Sequence, residues 1–290
     1  MTPGRDKLVI GCGYLGRRVA ALWRDQGRQV WATTRKRAEG LRAAGIEPVI
    51  CDVLDLESLK ALPAVNTVLY CIGLDRSAGA SMRDVYVGGL ANVLDHLPVP
   101  QQFLYVSSTS VYGQSAGEVV DEQSPTEPEE ESGRVVLEAE RLLRHRLPGA
   151  VILRFAGIYG PGRLLRRQAI EKGEPIQADP ERWLNLIHVD DGAAAILAAE
   201  QVAPAGETIN VCDGQPVRRR DFFAKLAHRL GAPEPRFLVP DLSLPPPPHE
   251  KANRRIGNRK LREDLHFTFR YPTWREGLEK SILAARDGNE

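Results

Sequence analysis

The amino-acid sequence predicts an α/β fold, a doubly wound parallel sheet with helices on both faces, followed by a smaller C-terminal domain. Two observations support this prediction. A glycine-rich turn follows the first apolar run of the chain, and short apolar runs then alternate with helical patterns as far as Phe155. Continuous apolar runs are typical of strands that are buried on both faces of a parallel sheet.

The glycine-rich turn follows the apolar run at residues 8–10 and has the G-x-G-x-x-G spacing. In such a turn the first glycine permits the tight bend, the second lets the backbone approach a pyrophosphate, and the third lets helix and strand pack closely. The N–H groups of the turn and the positive end of the next helix then face the phosphates. An ordinary glycine-rich loop is the alternative, but the strand before it and the amphipathic helix after it favour dinucleotide binding. The predicted contacts are Gly11, Gly13, Tyr14, Leu15 and Gly16.

The end of the second predicted strand, residues 29–33, indicates which dinucleotide binds. An NAD site would place an acidic residue about 20 positions after the glycines, where it accepts the ribose 2′-hydroxyl. The sequence has Thr34, Arg35 and Lys36 there instead. Because cations favour a 2′-phosphate, we expect NADP(H) rather than NAD(H), with Thr34 and Arg35 among the contacts. A solvated basic turn is the alternative.

Two further strands are predicted to carry cofactor contacts at their carboxyl ends, where ligands of open α/β sheets bind. Asp52 ends the third strand, at residues 48–52, with Val53 beside it. Its carboxylate either meets the adenine amine or caps the next turn. The fourth strand, residues 67–73, is a continuous apolar run that we expect to pass under the cofactor.

The fifth predicted strand, residues 102–106, runs into a cluster of hydroxyl groups at residues 107–113. Ser108 and Thr109 are placed to polarise a substrate carbonyl. Tyr112 is a candidate phenolic acid, and Tyr159, which follows the sixth strand, is a second. Core packing is the alternative role for both tyrosines.

The rest of the chain is predicted to complete two domains. An acidic, solvated and mobile loop is expected at residues 118–131, a helix at 133–147, and an alanine-rich helix that Asp190 caps and that ends near Glu200. The first domain is predicted at residues 1–155, with about 186–200 returning to it, and the second at 156–290. A stiff extended connector is expected at residues 245–248, which are four prolines.

Composition excludes several classes of protein. Charged residues make up 27% of the chain and the net charge is +1, so no global field attracts nucleic acid or an anionic membrane. The sequence contains no apolar stretch long enough to span a bilayer and no signal-peptide pattern. The four cysteines are scattered, which favours buried thiols in a reducing compartment over disulfides or a metal site. We therefore expect a cytoplasmic protein without a metal ion.

Six motifs taken together resemble the extended short-chain dehydrogenase/reductase family, which includes nucleotide-sugar epimerases and dehydratases. The resemblance runs over nearly the whole chain and implies an N-terminal Rossmann domain, a smaller substrate domain and an NAD(P) cofactor. It also implies a small-molecule substrate, with a nucleotide-sugar as one expectation, and a homodimer as another. The matching segments are residues 11–16, 107–113, 153–163, 187–191, 210–214 and 271–277.

The chain departs from this family in the catalytic pair. Members carry a Tyr-x-x-x-Lys motif, in which tyrosinate acts as acid and base while lysine lowers its pKa and holds the nicotinamide ribose. The alignment places Ser132 at the tyrosine and Val136 at the lysine, with Glu140 where the family often has glutamate. A serine hydroxyl is too weak an acid to replace a phenol, and valine carries no charge. These departures indicate an atypical branch.

Three functions therefore stay open at this point. The first is an NADP(H)-dependent oxidoreductase or epimerase whose acid comes from elsewhere in the chain. The second is a non-catalytic dinucleotide-binding redox sensor or scaffold, and the third is a structural relic that binds nothing tightly. In all three, Arg154 and His188 are expected to be structural.

Overall fold

The computed structural model describes residues 6–238 and 251–287, with side chains described as far as residue 284. The predicted connector at residues 245–248 lies outside the described residues. The chain forms two compact units. The first holds residues 6–108, Glu131–Arg154 and Ala193–Ile209, and the second holds Thr109–Glu130, Phe155–Gly192 and the described residues from Asn210 onward.

A seven-stranded sheet forms the centre of the fold and confirms the predicted Rossmann architecture. Its strand order is β12-β7-β5-β4-β1-β2-β3, and β1 pairs in parallel with both β2 and β4. Chain order therefore reverses between β1 and β4, which is the switch point where open α/β sheets bind ligands. The strands of the chain are Asp6–Ile10 (β1), Gln29–Thr34 (β2), Glu47–Ile50 (β3), Thr67–Tyr70 (β4), Gln102–Ser108 (β5), Glu118–Val120 (β6), Val151–Phe155 (β7), Gly157–Tyr159 (β8), Ile176–Gln177 (β9), Trp183–Leu184 (β10), Leu186–His188 (β11), Thr208–Val211 (β12), Val217–Arg218 (β13), Phe237–Leu238 (β14) and Arg254–Ile256 (β15).

Nine α-helices occur in the described part of the chain, and the helix predicted at residues 133–147 is found at Glu131–Arg146. The alanine-rich helix begins at Val189 and already includes Asp190, so the prediction that Asp190 caps it is wrong by two residues. The Asp190 N–H instead donates to His188 Nδ1 at 3.2 Å. The helices are Gly16–Asp25 (α1), Ala38–Ala43 (α2), Leu56–Leu59 (α3), Gly89–His96 (α4), Glu131–Arg146 (α5), Arg167–Glu171 (α6), Val189–Val202 (α7), Arg219–Leu230 (α8) and Trp274–Asp287 (α9), with 3-10 turns at Arg76–Ala78 and Thr109–Val111 and π-helical turns at Asp84–Gly88 and Lys260–Asp264.

The core of the first unit buries the apolar runs of β1, β4 and β5 against α4 and α5. Leu8, Ile10 and Val68 are fully buried, as expected for strands covered on both faces. The core also buries an ion pair, because Lys7 of β1 contacts Glu200 of α7. The second Glu200 oxygen accepts a hydrogen bond from Trp23 Nε1 at 2.7 Å. Residues 193–209 belong to the first unit and residues 186–192 to the second, whereas the return was predicted for about 186–200.

The second unit has several two-stranded sheets around an aromatic core that includes Tyr159, Phe222 and Trp274. The mobile acidic loop predicted at residues 118–131 is wrong in its first part. Glu118–Val120 forms β6, which pairs in parallel with β15, and the Glu122 carboxylate accepts the Asn210 N–H at 2.8 Å. The partner of this strand lies far along the chain, so the acidic composition of residues 118–131 did not predict it. By contacts, Thr109–Glu130 belongs to the second unit rather than to the predicted first domain.

Candidate active site

The glycine-rich turn between β1 and α1 has a backbone path that only small residues allow. Gly11 has φ +96°, and a Cβ there would lie 2.7 Å from the Cys71 carbonyl and from the Ile72 nitrogen. A Cβ at Gly16 would lie 2.6 Å from the Gly11 oxygen. Both glycines therefore let the turn pack against the end of β4.

Gly13 differs from these two glycines because a Cβ there would meet nothing within 4 Å. Its backbone is exposed, its carbonyl accepts the Arg17 N–H at 3.1 Å, and the first turn of α1 contains no acidic side chain. The Arg18 guanidinium lies 4.3 Å from the centre of the Tyr14 ring. An open glycine face at the positive end of a helix fits the pyrophosphate of a dinucleotide.

Cys12 lies between the first two glycines of this turn. Burial raises the pKa of its thiol to about 11, and the nearby Arg17 lowers it by less. The thiol is therefore neutral at physiological pH and places no negative charge beside bound phosphates.

The end of β2 places Arg35 in an ion pair. Its Nη2 lies 2.7 Å from Asp75 Oδ2, and both side chains are close to half exposed. The Ser77 hydroxyl and then the Arg35 guanidinium lower the pKa of Asp75 to about 2. Thr34 Oγ1 accepts the Arg37 N–H at 2.9 Å, so Thr34 shapes the turn that carries Arg35.

The end of β3 places Asp52 and Val53 beside the core. Asp52 Oδ1 accepts the Leu54 N–H at 3.0 Å, which is the turn-capping alternative stated above. The Val53 side chain is buried, and a Cβ at Gly89 would lie 2.6 Å from its Cγ2. The Val53 carbonyl accepts a hydrogen bond from Asn92 Nδ2 at 3.0 Å. The contacts of Asp52 and Val53 with a cofactor stay predictions.

A buried polar cluster lies below the hydroxyl groups at the end of β5. Ser107 donates to Glu140 Oε1 at 2.5 Å, and Arg154 contacts the same carboxylate through Nε at 3.0 Å and Nη2 at 2.7 Å. Arg154 and Glu140 side chains are 9% and 4% exposed. The cluster joins β5, α5 and β7, and it fixes the rotation of α5 about its axis.

That rotation determines which residues share the face of α5 with Glu140. Ser132 and Val136 precede Glu140 by eight and four positions, so the three side chains lie along one stripe of the helix. Ser132 is half-buried and Val136 is buried. At the positions of Ser132 and Val136 this stripe offers neither a phenol nor a cation.

The three residues predicted to carry the chemistry lie at or after the end of β5. Ser108 is the last residue of β5 and is half-buried, and Thr109 begins the next 3-10 turn. Tyr112 is buried, and its hydroxyl donates to Asn210 Oδ1 at 2.8 Å. The Tyr112 hydroxyl is thus engaged within the second unit, and its role as an acid stays a prediction.

The second candidate phenol, Tyr159, lies in the aromatic core of the second unit. Its ring meets His188 edge-on with centroids 5.4 Å apart, and its hydroxyl donates to the Trp274 carbonyl at 3.4 Å. Burial raises the pKa of Tyr159, and the charge of Asp213 adds to the effect. Asp191, in turn, accepts the Tyr271 N–H at 3.0 Å. The motifs at residues 153–163, 187–191 and 271–277 therefore meet in one buried cluster.

Two further polar residues, one in each unit, were not predicted as site residues. Tyr86, on the π-helical turn before α4, accepts the Leu74 N–H at 3.1 Å. Asp213 follows β12 and is buried, and burial raises the pKa of its carboxyl to about 7. Asp213 lies in the motif at residues 210–214, but nothing in that motif marks its carboxyl group. Tyr86 stands in none of the six motifs, and its contact with Leu74 joins residues 12 positions apart.

Two classes of site are absent from the described ranges 6–238 and 251–287. No group of three or more His, Cys, Asp or Glu side chains within them could hold a metal ion. No helix in these ranges is both long and apolar enough to cross a membrane.

Comparison with known proteins finds relatives that match more than nine-tenths of the chain. The protein YeeZ of Escherichia coli (strain K12) is 32% identical over 275 residues, which cover 91% of this chain and 95% of YeeZ. The 3-diazoavenalumate denitrifying reductase of a Streptomyces species is 26% identical over 301 residues, covering 93% of this chain and 98% of the reductase.

A solved structure shows the same fold. MoeE5, in complex with UDP-glucose and NAD, superposes with a TM-score of 0.81 at 23% identity, over 98% of this chain and 100% of MoeE5. The NAD dependent epimerase/dehydratase family matches residues 8–212, a span that runs from β1 to just past β12 and includes the glycine turn. The chain belongs to the NAD-dependent epimerase/dehydratase family, whose members are extended short-chain dehydrogenases/reductases.

Proposed function

We propose that this protein is an NADP(H)-dependent oxidoreductase that acts on a carbonyl or sugar-type small molecule. The observation that carries the proposal is the contrast among the turn glycines. Gly11 and Gly16 are closed by neighbouring backbone, whereas Gly13 presents an open face at the start of α1. That is the arrangement a pyrophosphate requires.

Each part of the site has a stated role in this proposal. The N–H groups of the turn hold the pyrophosphate, and Arg35 meets the 2′-phosphate. When bound, the nicotinamide supplies or accepts a hydride. Ser108 and Thr109 donate hydrogen bonds to the substrate oxygen, where negative charge develops.

The substrate class is inferred from relatives. The Streptomyces relative is named a reductase, and the structural neighbour MoeE5 contains UDP-glucose. Reduction of a small carbonyl compound is the reaction we favour, and a nucleotide-sugar is the alternative substrate. We further propose that the protein acts in the cytoplasm, in agreement with four free cysteines in the structure.

A second candidate function is a non-catalytic NADP(H) sensor or scaffold. It is favoured by one observation, namely that the stripe of α5 which carries Glu140 has Ser132 and Val136 where the family has its acid and its lysine. A sensor would bind oxidised and reduced cofactor with different affinities and couple that difference to a partner.

A fluorescence titration with NADPH and NADH tests the cofactor assignment. We expect the wild type to bind NADPH more tightly, and Arg35→Ala to lose about tenfold in NADPH affinity, or about 1.4 kcal/mol, with NADH affinity unchanged. Arg42→Ala removes an exposed arginine of α2 and is the matched control, because it lowers the net charge equally.

Asp75→Asn sharpens this test. It releases Arg35 from its ion pair, so NADPH affinity should rise while NADH affinity stays the same. Equal effects of Arg35→Ala and Arg42→Ala would contradict the 2′-phosphate assignment. If neither cofactor binds, the glycine turn has only a structural role and the oxidoreductase proposal is contradicted.

A further inference from the structure

We propose that Tyr86 is the phenolic acid of this enzyme, taking the role that Ser132 of α5 cannot fill. The inference rests on the oxidoreductase function proposed above. It is carried by the placement of the Tyr86 hydroxyl on the backbone segment that flanks the cofactor turn.

The exposure of the seven tyrosines narrows the choice of phenol. Five of them are buried with 9% or less exposure, whereas Tyr14 and Tyr86 are half-buried. Tyr14 lies in the glycine turn with Arg18 over its ring, where phosphates are expected. Tyr86 is therefore the partly accessible phenol outside the phosphate-binding turn. The buried five are Tyr70, Tyr105, Tyr112, Tyr159 and Tyr271.

The Tyr86 hydroxyl is fixed at the carboxyl end of β4. Its oxygen accepts the Leu74 N–H at 3.1 Å, four residues after the last residue of the strand. The same segment packs against the glycine turn, because the Cys71 N–H donates to the Ile10 carbonyl at 2.8 Å and the Ile72 nitrogen borders Gly11. One short stretch of backbone thus touches both the turn and the phenol.

The direction of this hydrogen bond leaves the phenolic proton available. Because the oxygen accepts from Leu74, the hydroxyl can donate its own proton elsewhere. Within the described ranges, no acceptor for that proton is found. After proton transfer, the Leu74 N–H would still point at the oxygen and stabilise the tyrosinate charge.

The π-helical turn Asp84–Gly88, which carries this phenol, packs beside α5 and continues into α4. Arg83, just before it, forms a two-pronged ion pair with Glu138 of α5, with Nη2 to Oε1 at 2.6 Å and Nε to Oε2 at 3.1 Å. The extra residue of a π-turn shifts the side-chain register, and such turns are frequent at functional sites.

Three carboxylates on the π-turn and on the α5 helix against which it packs have partners. Glu138 is paired with Arg83, and Glu140 of the same helix is paired with Arg154. Asp84, on the π-turn itself, accepts the Ser81 hydroxyl proton at 2.6 Å. Burial raises the pKa of Tyr70 and of Tyr105 on the adjacent strands, and both stay neutral at physiological pH.

The proposed step is balanced with NADPH as the reductant. The substrate carbonyl carbon gains a hydride, the C=O π pair moves to oxygen, and that oxygen takes the proton from Tyr86. The O–H bond of Tyr86 breaks with its electron pair left on Oη, and water returns a proton to the tyrosinate. The carbonyl is reduced to an alcohol and NADPH is oxidised to NADP⁺.

Chemical modification tests the placement without a known substrate. N-Acetylimidazole acetylates accessible phenols, and peptide mass spectrometry reports each tyrosine separately. With NADP⁺ at about 100 times its Kd, only about 1% of the protein is free, so acetylation of both Tyr14 and Tyr86 should slow more than about tenfold. Protection of Tyr14 without protection of Tyr86 would overturn the inference and leave the proposed function standing. If neither tyrosine is protected, the cofactor does not bind at the glycine turn, and the proposed function fails together with the inference.

Turnover of a panel of small carbonyls with NADPH tests the chemistry. We expect Tyr86→Phe to lower kcat by about 10²–10⁴-fold with NADPH affinity unchanged. Tyr70→Phe is the matched control. Tyr70 lies on a strand of the same unit, and the variant removes a buried hydroxyl that has no hydrogen-bond partner. A full loss in Tyr112→Phe with an active Tyr86→Phe would overturn the inference. A wild type that binds NADPH but reduces no carbonyl would end the oxidoreductase function and the inference with it.

Discussion

Glu140 in the first unit and Asp213 in the second are both buried carboxylates, with 3% and 6% exposure, in opposite environments. Glu140 receives two contacts from the Arg154 guanidinium and one from the Ser107 hydroxyl. Asp213 has one backbone donor, the Gln215 N–H at 2.9 Å, and its other oxygen has no hydrogen-bond partner in the described chain.

The difference shows that burial alone does not determine the charge of a carboxyl group. Desolvation raises the pKa of Asp213 to about 7, and repulsion from Asp191 adds to it, while no cation opposes either effect. At Glu140 the guanidinium supplies the opposing charge. We infer that the first unit uses its buried carboxylate to hold α5 in place, whereas the second unit keeps a carboxyl that titrates near neutral pH.

Of the variants that test this comparison, Arg154→Ala should lower the unfolding free energy most. It leaves Glu140 buried without its cation, which costs about 3–5 kcal/mol of unfolding free energy. Urea denaturation at pH 7 measures the loss. Arg83→Ala is the control, because it removes the exposed partner of Glu138 on the same helix and should cost less than about 1 kcal/mol. Similar losses in the two variants would show that Glu140 does not depend on Arg154.

Asp213→Asn should change the pH dependence of stability. The raised pKa means that the folded state holds the proton more tightly than the unfolded chain, whose pKa is near 3.8. The stability supplied by the protonated carboxyl is complete below pH 3.8 and is lost as the pH rises through about 7. The variant should therefore match wild type at acid pH and exceed its unfolding free energy by about 4 kcal/mol at pH 8, because the rise in pKa from 3.8 to about 7 is worth about 1.4 kcal/mol per unit. If the difference in unfolding free energy between the two proteins did not change with pH, it would not come from the titration of Asp213.

Ser107→Ala should have the smallest effect. It removes a neutral donor from Glu140 while Arg154 stays in place, so the expected loss is about 1 kcal/mol at any pH near neutrality. Ser124→Ala, which removes an exposed hydroxyl bound to Asp121, should cost less than about 0.5 kcal/mol. A Ser107→Ala loss as large as that of Arg154→Ala would mean that the hydroxyl, rather than the cation, holds the carboxylate.

The sheet and the glycine turn could be predicted because their constraints are local. Runs of apolar residues define strands buried on both faces, and the three glycines of the turn follow from backbone sterics within a few residues. The open face of Gly13 against the closed faces of Gly11 and Gly16 is the geometry that the spacing predicts. The order of the motifs also identified the family.

The features that escaped prediction depend on contacts distant in sequence. The strand at Glu118–Val120 needs Arg254–Ile256 as its partner, and no local pattern shows that pairing. The ion pair of Arg35 joins residues 40 positions apart. Tyr86 lies on a π-turn, which hydrophobic periodicity does not distinguish from an ordinary helix.

The contact between Lys7 and Glu200 determines how this chain can be divided. Lys7 lies in the first strand, and its ammonium group also contacts Thr67 Oγ1 of β4 at 2.9 Å. The Glu200 carboxylate, which comes much later in the chain, therefore neutralises a lysine at the amino end of the central strands. A fragment that stops near Phe155 would contain every cofactor-binding residue proposed above, yet would bury a lysine without its counter-charge. The nucleotide-binding half is therefore not an exchangeable module, and fusions or truncations of this protein must carry the helix that contains Glu200 along with the glycine turn.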